Sequence, residues 1–244
     1  MTTASLILFL LLALLAEILG TIGGFGSSLF FVPIAGYFME FHSVLAITAL
    51  FHVSSNLVKI MIFRKGIDRN LVLKVGIPAV IFVLIGAYLT RFLNTKVLEM
   101  ILAVFLIGLS LIFFVFKNIA IKPNTGNAVG GGIISGFLAG LVGTGGAIRG
   151  MTLAAYNLDK MAFIATSAII DLGIDSGRSF AYYFNGYIKT DILYLIPLLI
   201  VISLIGTFAG KKILDHVSEK QFRSMVLGLV FATGVFTLYN FIRS

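Results

Sequence analysis

The sequence predicts an all-α, polytopic membrane protein built from two inverted repeats, and three observations lead there. Long apolar runs recur along the chain, the two halves share a register of glycines, and lysine and arginine fall unequally on the two sides of the resulting helices. Of the 244 residues, 59% are hydrophobic and only 11% charged, with a mean hydropathy of +1.08. A soluble domain carries about 25% charged residues. No soluble fold of this length buries so much apolar surface. Lipid is therefore the solvent, and each spanning helix needs about 20 mostly apolar residues.

The chain supplies such segments at 4–22, 43–63, 71–93, 97–117, 128–142, 161–184, 190–210 and 222–242. Two shorter apolar pieces, 28–39 and 147–157, follow the first and the fifth, so each repeat holds four to five helices and the chain eight to ten membrane segments. Membrane β-strands would alternate apolar and polar residues over about 10 positions. These runs are continuous and rich in Leu, Ile, Phe and Ala, so they are helices. The first has no basic residue before it and meets its first charge at Glu17, which reads as a retained helix rather than a removed signal peptide.

The net charge of +8 would suggest nucleic acid as a partner of a soluble protein. Here the bases sit mostly in short loops between helices, where topology explains them, and no nucleic-acid partner is expected. Cysteine is absent, which excludes disulfides, a thiolate metal site and a thiol relay. Three scattered histidines make no metal cluster, and no cofactor motif is present.

A shift of 120 residues superposes Gly20 on Gly140, Gly23 on Gly143, Gly26 on Gly146, Gly66 on Gly186, Gly86 on Gly206 and Gly108 on Gly228. Nine glycines precede residue 125 and seventeen follow it, so random placement gives about one such coincidence. Val97/Val217, Glu99/Glu219 and Leu84-Ile85/Leu204-Ile205 also match. The competing explanation is shared composition of Gly-rich helices. A repeat divides the chain into 1–117, a polar linker at 118–127 containing Pro123, and 128–244.

Lys and Arg collect on the cytoplasmic side of a membrane protein. Treating the eight long segments as simple crossings splits the loop bases eight against eight. Folding 4–22 with 28–39, and 128–142 with 147–157, into hairpins changes the split to eleven against five. Each half then makes an odd number of crossings, so the halves are inverted. The linker and the loops 64–70 and 211–221 become cytoplasmic and both termini lie outside, in a plasma or inner membrane. The count is the same whether the hairpins span fully or dip in.

The hairpin tips, Gly20–Ser28 and Gly140–Gly150, are where chemistry is expected. Glycine at this density breaks helices, at about 1 kcal/mol each relative to alanine. Broken backbone at membrane depth survives only when buried in protein or lining a watery cavity. Paired interruptions in inverted repeats point to a substrate site. Helices restarting at about 28 and 147 would turn their N–H groups and positive dipole ends toward the break, which favours an anion. Close packing through small residues is the alternative. Gly23, Gly24, Gly26, Ser27 and Ser28 of the first tip, and Gly143, Thr144, Gly145 and Gly146 of the second, are the candidate binding residues.

These two hairpins, the first followed by Pro33, resemble the duplicated motif of the TauE/SafE family, transporters of sulfite, sulfonates and related organosulfur anions. The resemblance covers essentially the whole chain. The second hairpin departs from it in lacking a proline where the first has Pro33. The resemblance implies a secondary carrier for a small anion, often an exporter.

Ionisable residues inside a bilayer are costly and usually functional. His52, Asn56 and Lys59 share a helix face at i, i+4, i+7, and so do Asp171, Asp175 and Arg178. The two sets lie 119 positions apart and read as diverged counterparts forming a polar core where the halves meet. Arg149, beside the second break, is the candidate for direct anion contact through its planar fork, with a topological outside charge as the other reading. Asn56 and Arg178 are further binding candidates, although Arg178 and Asp175, one turn apart, also suit a mutual ion pair. Asp171 has no obvious partner, which makes it the best proton carrier. Asp175 and His52 are the other proton-coupling candidates, and a membrane histidine simply bonded to a neighbouring helix is the alternative for His52. Glu17 faces either the cavity or the interface. Lys59 lies close enough to residue 64 to snorkel.

The expected function is secondary transport of a small anion, sulfite, a sulfonate or another organosulfur anion, by rocking of the two halves. A channel of the same architecture is the alternative within transport. The non-transport alternatives are an intramembrane enzyme, which would need a zinc motif, a cysteine or a serine triad context that is not present, and an assembly subunit, which would not require a duplicated broken-helix core. The expected partners are the small anion and the bilayer, with a homo-oligomer compatible but not specified.

Overall fold

The computed structural model describes residues 1–24, 26–63, 66–115, 121–214 and 235, and every regular element among them is helical. The order is α1 (Thr3–Gly23), α2 (Ser28–Gly36), α3 (Phe41–Ile62), α4 (Arg69–Leu71), α5 (Ile77–Leu89), α6 (Thr95–Val115), α7 (Thr125–Val142), α8 (Gly146–Ala154), α9 (Lys160–Phe184) and α10 (Leu195–Leu214). A π-helical stretch, Val72–Gly76, joins α4 to α5 in one rod running from Arg69 to Phe92. Pro78 explains it, because its ring would crowd the carbonyl four residues back in a regular α-turn.

Among the described residues, six helices are long and apolar enough to cross a membrane. The 25-residue α9 matches them in length but carries Asp171, Asp175 and Arg178 in its middle, which sets its composition apart. The segment expected at 222–242 lies outside the described residues. Three expected boundaries move. Asn124 caps α7 through its side chain, so the helix starts at Thr125 rather than 128. A short 3-10 turn, Thr190–Ile192, precedes α10, which runs on to Leu214. Lys211 and Lys212 therefore occupy a helical last turn, where cations suit the negative end of the dipole.

Each hairpin joins one long and one short helix. α1 ends on Gly24 (φ 66°) and α7 on Gly143 (φ 80°), both in the left-handed conformation that stops a helix cleanly. The returning α2 and α8 have nine residues each, a rise of about 13 Å against a hydrocarbon core of about 30 Å. Neither return limb is long enough to cross alone.

The packing exchanges partners between halves. α1 lies on α10, α5 on α7, and α3 on α9 at the centre, with α3 also touching α10 and α9 touching α5. Exchanging α1, α2, α3 and α5 with α7, α8, α9 and α10 maps this set of neighbours onto itself. The α5–α7 contact is backbone to backbone. A Cβ on Gly132, Gly136 or Gly140 of α7 would overlap the carbonyl oxygen of Val75, Ala79 or Val83 respectively. Lipid offers helices no hydrophobic drive to associate, so such close approach supplies the attraction.

At one end of the bundle Glu40 caps α3, bonding the His42 amide at 3.2 Å and Lys189 before α10 at 3.3 Å. Burial raises the Glu40 carboxyl, but the hydrogen bonds and charge of His42, with Lys189, outweigh it and leave the group below the ordinary carboxylate range.

A Gly136→Ala substitution should lower stability by about 1–3 kcal/mol through overpacking against α5. Gly130→Ala, on the same helix with open space around it, should be neutral or stabilising by up to about 1 kcal/mol. Thermal unfolding of the two variants in detergent tests the pair.

Candidate functional site

The two tips, α3 and α9 enclose a polar cavity with about 20 Å³ of room, and a second of about 10 Å³ adjoins it, the scale of single water molecules. Gly26, Asn56, Lys59 and Asp171 line both. Of the residues singled out in the sequence, Ser27, Ser28, His52, Gly143, Gly145, Gly146, Arg149, Asp175 and Arg178 also line the larger cavity. Gly24 borders only the smaller one, and Gly23 and Thr144 border neither. Thr144 instead meets Ser28 across the two tips, hydroxyl to hydroxyl at 3.2 Å. Both short helices start at this cavity without a side-chain cap.

The sets on α3 and α9 do meet. Asn56 donates to Asp175 at 2.7 Å, a bond between residues 119 apart, the offset that relates the two sets. Arg178 donates to Asp175 at 2.6 and 2.8 Å, to the carbonyls of Gly143 (2.6 Å) and Ala139 (3.2 Å), and to His52 Nδ1 at 3.2 Å. Those bonds use all five donors of a guanidinium. Arg178 is thus the cap of α7, joined by Tyr182, which donates to the Gly140 carbonyl at 2.7 Å. All its donors are occupied in this arrangement, although it lines the larger cavity.

His52 is locked as well. A guanidinium cannot accept, so Nδ1 must be the acceptor and Nε2 carries the proton. Nε2 meets the Ser27 hydroxyl at 2.8 Å, and Ser27 donates onward to Glu17 Oε2 at 2.5 Å. The histidine therefore ties the first tip to α9.

Two expectations about single charges are overturned. Lys59 does not snorkel: its Nζ is buried, 2.8 Å from Glu17 Oε1 and 2.7 Å from Ser55. Glu17 faces inward, fully buried, and also accepts from Ser55 (2.5 Å), Thr21 (3.2 Å) and Thr207 (3.1 Å). Asp171 is not unpaired either, since Arg149 forms an ion pair with it. Arg149 is only 2% exposed, which removes the reading of it as a loop charge and changes the loop count to eleven against four. Its Nε donates to Ser167 at 3.1 Å, and Ser167 donates to the Gly24 carbonyl at 3.2 Å, fixing the guanidinium beneath the first tip.

Sequence reasoning missed Thr207, Ser167 and Tyr182 as parts of this network. Single hydroxyls in apolar helices carry no distinguishing signal. The Glu17–Lys59 pair lay in two segments with nothing to connect them.

A family model described as Sulfite exporter TauE/SafE matches residues 9–237. The chain belongs to the TauE/SafE family. It is a multi-pass membrane protein of a transporter family. It is 25% identical over 256 residues to a probable membrane transporter protein of Methanocaldococcus jannaschii, an alignment covering 95% of this chain and 94% of that protein. No solved structure matches the chain.

Glu17→Gln leaves the Lys59 ammonium buried without its counter-charge and should cost about 3–5 kcal/mol. Glu17→Gln combined with Lys59→Met should recover much of that loss. Comparing the single and double variants by denaturant titration of purified protein separates charge balance from packing.

Proposed function

We propose that the protein is a secondary transporter of a small anion, with sulfite, a sulfonate or another organosulfur anion as cargo, working by alternating access rather than by enzymatic chemistry. The observation that carries this reading is Arg149, a buried guanidinium on the cavity wall between two broken helices, whose partner Asp171 also lines the cavity. A Cβ on Gly26 would stand 3.8 Å from Arg149 Nη2 and 3.9 Å from Asp171 Oδ2, so the first tip roofs this pair. The two tips, Arg149 and Asn56 form the binding surface, and protonation of a cavity carboxylate releases the guanidinium to the anion.

Two inverted repeats, 1–117 and 128–244, with the intervening linker cytoplasmic and both termini outside, fit the loop charges and the exchangeable set of helix neighbours. The interlocked packing favours moving bodies that mix the halves. One comprises α1, α2 and α10, the other α5, α7 and α8, and α3 and α9 lie between them. The cavity is too small for an organosulfur anion while Ser28 and Thr144 touch, so the tips must part for loading. Phe63, Ala165 and Leu214 form an apolar cluster with Ile164, which borders the smaller cavity.

Reconstituted Arg149→Ala protein should take up sulfite and sulfonates at least about tenfold more slowly than wild type, by loss of about 1.4 kcal/mol or more of anion stabilisation. Arg149→Lys, which keeps the charge but not the fork, should fall between. Wild-type rates in Arg149→Ala would remove the proposed contact. The chain has no cysteine, so Ser28→Cys with Thr144→Cys gives a clean crosslink. Oxidation should arrest transport and a reductant should restore it.

A further inference from the structure

The described core holds three cations, Lys59, Arg149 and Arg178, each paired with one carboxylate, Glu17, Asp171 and Asp175. The set is neutral. An anion entering it leaves a buried net negative charge unless protons come with it, and uncompensated charge in a membrane interior is strongly disfavoured. The number of protons is therefore the number of carboxylates able to take one up.

Hydrogen-bond valence narrows that number. Glu17 accepts from four donors on Oε1 and from Ser27 on Oε2 and has no exposure, so a proton would have to pass a closed shell of donors to reach it. Asp175 accepts from Arg178 on one oxygen and Asn56 on the other. His52 can gain a proton only on Nδ1, where Arg178 already donates. Asp171 differs from all three. Its only partner among the described residues is Arg149, on Oδ1, and its side chain keeps 13% exposure where Glu17 has none and Asp175 has 5%. Oδ2 stands toward Gly26, and Asp171 lines both cavities.

We infer that each anion crosses with a single proton carried on Asp171, so that the site takes monovalent oxyanions such as bisulfite or a sulfonate and rejects divalent ones. This rests on the anion-transport reading above. A proton from water forms an O–H bond at Oδ2, the carboxylate loses its charge, and Arg149 passes to the anion. On the far side the anion leaves, the proton returns to water and the ion pair closes. The core stays neutral throughout: three cations against three carboxylates, then three cations against two carboxylates and one monoanion. The charged groups facing Asp171 are Arg149 on α8, Lys59 on α3 and Asp175 with Arg178 on its own helix. The α5 residues packed on α9 are uncharged, and Lys74 lies in the turn before them.

The test is uptake into proteoliposomes containing the full chain, with methanesulfonate as the monovalent probe and sulfate as the divalent one. Methanesulfonate should accumulate at least tenfold when the outside is acidic, with proton entry in a one-to-one ratio. A potassium diffusion potential set with valinomycin should leave its rate unchanged. Sulfate should move at least tenfold more slowly. Asp171→Asn, a neutral mimic of the protonated state, should keep methanesulfonate exchange yet lose the pH-driven accumulation. Rates that follow the imposed potential, two protons per anion, or sulfate moving as fast as methanesulfonate would overturn the inference, and the wild-type measurements decide it even if Asp171→Asn does not fold. Failure of every anion to move, sulfite included, would instead bring down the anion-transport reading itself.

Discussion

The arrangement depends on one buried carboxylate. Glu17 sits on the last turns of α1 with no exposure, and a lone carboxylate there would be prohibitively costly. Five donors converge on it: Thr21 from its own helix, Ser27 from the first tip, Ser55 and Lys59 from α3, and Thr207 from α10. Meeting this one demand fixes four pieces of chain relative to each other. The small residues of α10 allow it, since a Cβ on Gly206 would stand 2.7 Å from Glu17 Cγ and one on Gly210 would stand 2.8 Å from Thr21 Cβ. Glycine here permits α10 to cover the acid closely enough to keep lipid and water out.

The second hairpin is held by the opposite chemistry. Its long helix ends in unsatisfied carbonyls, as every helix does. Arg178 and Tyr182 reach across from α9 to bind those of Ala139, Gly140 and Gly143. So one tip is anchored through a carboxylate that gathers donors, and the other through a guanidinium that gathers carbonyls. His52 links the two systems, accepting from Arg178 and donating to Ser27. Arg149 and Asp171 are the remaining ion pair, under the Gly26 turn, and Asp171 is the most exposed of the three core carboxylates. In a core of buried charges, the carboxylate with most access to the cavity is the one that chemistry can change.

Interlocked packing also alters how motion is pictured. Two sequence halves that each folded by themselves would rock against each other. Here α5 of the first half lies against α7 of the second at backbone distance, and α1 against α10, so separating the halves would break the closest contacts in the protein. The polar residues run along α3 and α9, and the two tips meet, among the described residues, through the Ser28 and Thr144 hydroxyls.

The sequence by itself determined the solvent, the helices, the two breaks and the residues worth watching. Those properties are local: apolar length, glycine density and a helical face of polar side chains are all written in neighbouring positions. It showed that the α3 and α9 sets belonged together because the repeat offset reappears in them, and Asn56 does bond Asp175. Only the tertiary structure decided which charges neutralise which. Glu17 and Lys59 are 42 positions apart and Arg149 and Asp171 are 22 apart, with no register linking either pair. Ion pairs in a membrane interior are chosen by which helix faces come within about 4 Å, where their attraction is strong enough to offset desolvation. That choice depends on packing, which here is governed by small residues whose partners lie in the other half of the chain.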